Sequence, residues 1–120
     1  MGRLLLTLEG VVEAPVDRVA DVVLVASPSG HTEIDRAALM IAVWGDWWFR
    51  SETVLEPDGA GRTRVTQRIF DIAEKGRWAV RFVAREPLRA APAVFDARLA
   101  EVGGRLGCRA YRVKGTALPG

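Results

Sequence analysis

Residues 46–73 constrain the fold more than any other part of this chain. "DWWFRSETVLEP" and "RTRVTQRIFDIA" are alternating segments rich in aromatic and β-branched residues, and only "DGAG" separates them. Alternation at period two reads as strand, and so short a glycine-bearing link closes an antiparallel hairpin. Charge selects the register. Pairing Glu56 with Arg64 and Glu52 with Arg68 gives two opposite-charge contacts, each worth roughly 0.2–1 kcal/mol. A two-residue slip would instead set Arg50 against Arg68. In the favoured register Trp47, Phe49, Ser51, Thr53 and Leu55 share a face with Val65, Gln67, Ile69 and Asp71. The other face carries Trp48, Arg50, Glu52 and Val54 with Arg64, Thr66, Arg68, Phe70 and Ile72. The first face is apolar with a few small polar groups, the character of a ligand-cavity wall. Trp47 and Trp48 are expected on opposite sides.

The remaining segments supply what packs on that hairpin. "RLLLTLEGVVEA" reads as a first strand interrupted at Gly10, where a bulge or a close approach is expected. "APVDRVADVVLVAS" reads as a helix: Pro15 suits its first turn, Asp17 suits the dipole, and Val16, Val19, Ala20, Val23 and Ala26 recur at helical spacing. "SPSGH" breaks the chain. "TEIDRAALMIAVWG" is expected as a second helix, with Thr32 and Asp35 resembling a capping box and Gly45 closing it. "GRWAVRFVAR" is ambiguous, because Arg77, Arg81 and Arg85 share one side of a strand and of a helix alike; its residue types favour a strand. "APAVFDARLAEVGGRLG" is expected as a helix with Pro92 near its start and Phe95, Leu99, Val102 and Leu106 on one stripe. Its Gly103-Gly104 pair implies contact with another backbone or a bend. The tail from residue 114 to 120 is expected to fray beyond Tyr111 and Val113.

A chain of 120 residues fits one domain with a single core. No apolar run approaches the roughly 18–20 residues that span a bilayer, and the N-terminus lacks a signal-peptide core; membrane insertion is not expected and the location is read as cytoplasmic. Cys108 is the only cysteine, so no internal disulfide and no thiolate metal site can form, and neither metal nor cofactor is expected. His31 is the only histidine, and no G-x-S-x-G elbow offers it a serine nucleophile. Residues 1–60 hold four arginines against ten acids, and residues 61–120 hold thirteen basic residues against five acids. Such asymmetry points first to pairing between segments or between chains.

The order of strand, two short helices, antiparallel strands and long C-terminal helix is that of the helix-grip fold, an α+β class in which a curved antiparallel sheet packs on the last helix. "VVEAPVDRVADVVL" resembles the opening motif of the START-like polyketide cyclase/dehydrase and lipid-transport superfamily. "WWFRSETVLEPDGAGRTRVTQRIFDIA" resembles the later strand pair of its small bacterial members. Ala20 replaces the aromatic usual on the first helix of that family, and only three or four strands are legible, fewer than in that family's sheet. Unpaired edges would then favour a homodimer.

The resemblance implies a cavity between sheet and C-terminal helix for a hydrophobic or aromatic small molecule. Its wall would be Trp47, Phe49, Leu55, Val65, Ile69, Phe95 and Leu99, with Ser51, Thr53, Gln67 and Asp71 as polar groups. The alternative that these residues simply fill the core stays open. An enzymatic reading, a cyclase or dehydratase, would use Asp71 as base, Tyr111 or His31 as acid, and Arg50 or Arg68 on an enolate. A third reading gathers Arg62, Arg64, Arg68, Arg77, Arg81, Arg85 and Arg89 with Phe70, Trp78 and Phe82 into a nucleic-acid face. Near-neutral net charge, +2, argues against it, and no nucleic-acid partner is expected.

Overall fold

A computed structural model describes residues 2–25 and 31–117, the last four by their backbone alone. Nine elements follow in order: β1 (Arg3–Val12), α1 (Val16–Val23), β2 (His31–Asp35), β3 (Met40–Trp44), β4 (Phe49–Pro57), β5 (Thr63–Asp71), α2 (Arg77–Val83), α3 (Arg85–Leu106) and β6 (Ala110–Ala117). All six strands join one antiparallel sheet in the order β2-β3-β4-β5-β1-β6. The sheet is curved and open, with α3 packed across β1 and β6 and α1 beside α3 and β4. The fold class is therefore α+β with a helix-grip-like layout.

The central hairpin has the expected register: Glu56 opposes Arg64 and Glu52 opposes Arg68. Gly10 also behaves as its position implied. The β1–β6 register shifts between Glu9 and Gly10, and a Cβ on Gly10 would lie 2.6 Å from Leu99 Cδ1 and 3.0 Å from the Tyr111 carbonyl oxygen. The missing side chain lets α3 settle against the strand. Pro15 caps α1 in extended conformation, and Val19 and Ala20 are its buried residues. Behind that turn, the buried Thr63 hydroxyl donates to the Ala14 carbonyl at 2.8 Å. Ala26 and the "SPSG" loop lie outside the described residues.

Four expectations are corrected. Residues 32–45 form no helix: they are the β2–β3 hairpin, and the second short helix of the chain is α2. The hairpin turn, Arg36 to Leu39, contains no glycine, proline or asparagine to announce it; Leu39 itself takes the left-handed conformation at φ 54°. Asp35 serves this turn, its Oδ1 accepting from the Ala38 N–H at 3.0 Å. Gly45 is no helix cap either, since its N–H donates to the Phe49 carbonyl at 2.9 Å in the β3–β4 turn. Second, residues 77–83 are helical: β5 already has β4 and β1 on its two edges, so the emerging chain cannot return beside it as the next hairpin strand. Third, α3 begins at Arg85, so Pro92 lies inside it. Fourth, the tail does not fray at Val113: β6 pairs with β1 as far as Ala117. Six strands stand where three or four were expected, and the edges are β2 and β6. Residues 118–120 lie outside the described residues.

The α3 face toward the sheet is Ala91, Phe95, Leu99 and Gly103, all buried at a spacing of four. A Cβ on Gly103 would sit 2.7 Å from the Cys108 carbonyl oxygen, whereas one on Gly104 meets nothing within 4 Å. The two adjacent glycines therefore predict opposite outcomes in urea denaturation. Gly103→Ala lowers stability by about 1–3 kcal/mol through overpacking against backbone; Gly104→Ala raises it by roughly 0.5–1 kcal/mol through helix propensity.

Candidate functional site

Cross-strand register sorts side chains onto two faces of the sheet. The face toward α1 and α3 carries the rows Thr32–Val43–Ser51–Ile69–Leu6 and Ile34–Ile41–Thr53–Gln67–Leu8. Burial falls along the first row, whereas in the second Ile41, at 8% exposed, is more buried than Thr53 and Gln67. At the β1 end Leu6 and Leu8 are 5% and 1% exposed, while Thr32, Ile34 and Val43 at the β2–β3 end are half-buried. The cause is the placement of α3, which lies over β1 and β6 and leaves the β2–β4 side to the short α1.

The expected wall residues divide accordingly. Leu55, Val65, Ile69, Phe95 and Leu99 are each no more than 4% exposed and belong to one continuous core. They form a packed floor. Phe49, Thr53 and Gln67 are half-buried and Ser51 is buried. Gln67 Nε2 donates to Ser51 Oγ at 2.9 Å. Thr32, on edge strand β2 rather than at a helix cap, shares the cross-strand row of Ser51 with Val43 between them, and its Oγ1 is buried without a hydrogen-bond partner among the described residues. A signal for it existed in the Thr32/Ile34 alternation, masked by the Ala-Leu-Met content that follows.

Trp47 does not stand on this face. Strand β4 begins at Phe49, so the alternation does not run back through the preceding bend. Trp48 takes the inner position, 8% exposed and edge-on to Phe49 at 5.5 Å. Trp47 turns outward, donates its indole N–H to the Lys75 carbonyl at 2.7 Å and covers Gly76, whose φ of 62° starts α2. The two tryptophans do diverge, but with their expected sides exchanged.

The catalytic candidates are not brought together. Asp71 is 8% exposed at the end of β5, where Oδ1 accepts from the Ala73 N–H at 2.9 Å and Oδ2 lies 3.8 Å from Arg3 Nη2. His31 is on edge strand β2, stacked on Trp44 at 5.6 Å, with Nε2 3.0 Å from Asp46 Oδ1. Arg50 covers the same Trp44 ring and binds Glu52 at 2.9 Å. Tyr111 is on the opposite edge strand, β6, under Arg109. Four strands separate β2 from β6, each spacing being about 4.8 Å. Of these four, His31 and Arg50 meet on the Trp44 ring, while Asp71 on β5 and Tyr111 on β6 stand apart from them.

The arginines are dispersed too. Arg62 and Arg64 both approach Asp58, Arg68 faces Glu52, and Arg89 holds Glu86. Charge pairing crosses the two halves of the chain at Arg62, Arg64, Arg109 to Glu13, and Asp71 to Arg3. Among the described residues no group of three or more His, Cys, Asp or Glu is placed to hold a metal. Comparison with protein-family models, with curated proteins and with solved structures finds no match.

The contacts of Asp71 make it a strand-end clasp. Asp71→Ala orphans the buried Ala73 N–H and is expected to cost about 1–3 kcal/mol in chemical denaturation. Asp71→Asn keeps an acceptor and loses the ion pair alone, and its midpoint falls by less.

Proposed function

We propose that the chain is a START-like domain that binds a hydrophobic or aromatic small molecule bearing a hydroxyl or carbonyl group. The ligand lies on the inner face of the β2–β5 part of the sheet. The observation that carries this reading is the set of polar groups on an otherwise apolar face: Ser51 and Gln67 bonded to each other on β4 and β5, and Thr32, in the same cross-strand row as Ser51 but two strands away, with its Oγ1 buried and without a hydrogen-bond partner among the described residues. A buried hydroxyl without a partner costs roughly 1–3 kcal/mol, and such groups persist where something else completes them. The helix-grip layout and the sequence resemblance support the same location. Phe49, Thr53, Ile34 and Val43 supply contact area, and the core of Leu55, Ile69, Phe95 and Leu99 closes the far end.

Native mass spectrometry of the purified chain, repeated after denaturation, tests the reading. A small apolar molecule released on denaturation is expected. A bare-chain mass, together with failure to bind the apolar dye anilinonaphthalenesulfonate, would overturn it. The same spectrum reads the subunit count; the homodimer, if formed, would join through edge strand β2 or β6.

Thr32→Val gives a sharper test because two effects have opposite sign. Replacing the orphaned hydroxyl by a methyl leaves the empty protein as stable or more so, while affinity for the co-purified ligand falls severalfold, the equivalent of one hydrogen bond of about 1 kcal/mol. Loss of stability with unchanged affinity would mean that the hydroxyl has a structural partner.

A further inference from the structure

Helix α2 presents its largest apolar side chains away from the protein. Val80 and, just beyond the helix, Ala84 are 1% and 2% exposed, whereas Trp78 is 78%, Phe82 57% and Val83 48% exposed. Trp78 and Phe82 are one helical turn apart and fall on the side opposite Val80. Core packing does not account for them. Alongside stand Arg77 and Arg81, one turn apart on α2, with Arg85 following at the start of α3; none of the three is ion-paired among the described residues. Arg3, from the start of β1 and 3.8 Å from Asp71 Oδ2, comes up to the same helix. Together Arg3, Arg77, Trp78, Arg81 and Phe82 line an open hollow of about 470 Å³.

We infer that this face docks the protein on the surface of an anionic lipid bilayer. Trp78 and Phe82 enter the boundary between headgroups and acyl chains, and the arginines bind lipid phosphates. Tryptophan beside arginine on one exposed helical face is the composition that suits that boundary, where one end of each group is apolar and the other wet. Charge complementarity selects this occupant. A second copy related by a two-fold axis would set arginine against arginine. A single nucleic-acid strand needs a basic groove that continues along its backbone, whereas Arg62 and Arg64 stand at the far end of β5 from α2, engaged by Asp58, and do not extend this basic patch. Docking is interfacial only: no helix among the described residues is long and apolar enough to cross a membrane. The inference is independent of the ligand site, which lies on the inner face of the sheet.

Flotation of the full chain with vesicles of phosphatidylcholine, with and without phosphatidylglycerol, is the test. Binding is expected only with phosphatidylglycerol, weakening as salt is added. Arg81→Gln should reduce it roughly fivefold, and Trp78→Ser or Phe82→Ser roughly tenfold or more. Thermal midpoints should stay unchanged in all three, since the side chains are exposed. Failure to float with anionic vesicles, or undiminished binding by the serine variants, would overturn the inference. So would release by free glycerol phosphate, which would make the hollow a headgroup site without bilayer docking. Retention of single-stranded DNA in place of vesicles, or a dimer mass that Trp78→Ser converts to monomer, would replace the bilayer with those partners.

Discussion

The close approach of α3 to β1 at Gly10 organises the molecule. Leu99 and Phe95 lie where a β-carbon would be, and the β1–β6 ladder shifts register at the same residue. A bulge bends a strand and increases its twist, so one glycine both curls the sheet toward the helix and clears the space into which the helix settles. One turn beyond Leu99, Gly103 repeats the device against the Cys108 backbone. These two contacts seat α3 over the β1–β6 side, with Val12, Leu8, Leu99 and Phe95 sealing the core between them.

That seating leaves the other half of the sheet under-covered. The two-turn α1 stands near β4, and Thr32, Ile34 and Val43 on the inner face of β2 and β3 stay half-buried, although Ile41 is buried. Polar groups persist there, whereas the rows under α3 are aliphatic. The proposed ligand site and the filled core are thus two ends of one surface, distinguished by how far the helix reaches.

The exit of β5 has a comparable consequence. With β4 and β1 already on its edges, the chain must leave the sheet, and Gly76 in left-handed conformation turns it into α2 under the cover of Trp47. The short helix buries little beyond Val80, which is why its aromatic and basic side chains stand free for another surface.

Local chemistry made some elements legible. The β4–β5 hairpin and its register followed from alternation, a glycine turn and two charge pairs; the Ala-Pro entry to α1 and the close approaches at Gly10 and Gly103 followed from residue type alone. The inner face was readable in part: Ser51, Gln67 and the aliphatic floor were named from period two, but Trp47 was placed inside because nothing local marks Phe49 as the first strand residue. The β2–β3 hairpin was read as helix because its turn is made by Arg36, Ala37, Ala38 and Leu39, good helix formers, with Leu39 forced to φ 54° while its carbonyl accepts from the Leu55 N–H of the next strand. Residues 77–83 are helical, and 110–117 extended, for non-local reasons: the first cannot fold back beside β5, whose two edges are taken by β4 and β1, and the second takes the outer edge of β1. By itself the sequence determined periodicity, turn chemistry and where a backbone must come close, since these are properties of neighbouring residues. Tertiary structure decided which edges were free, how much of the sheet α3 covers and which tryptophan faces inward, because those depend on contacts between segments far apart in the chain.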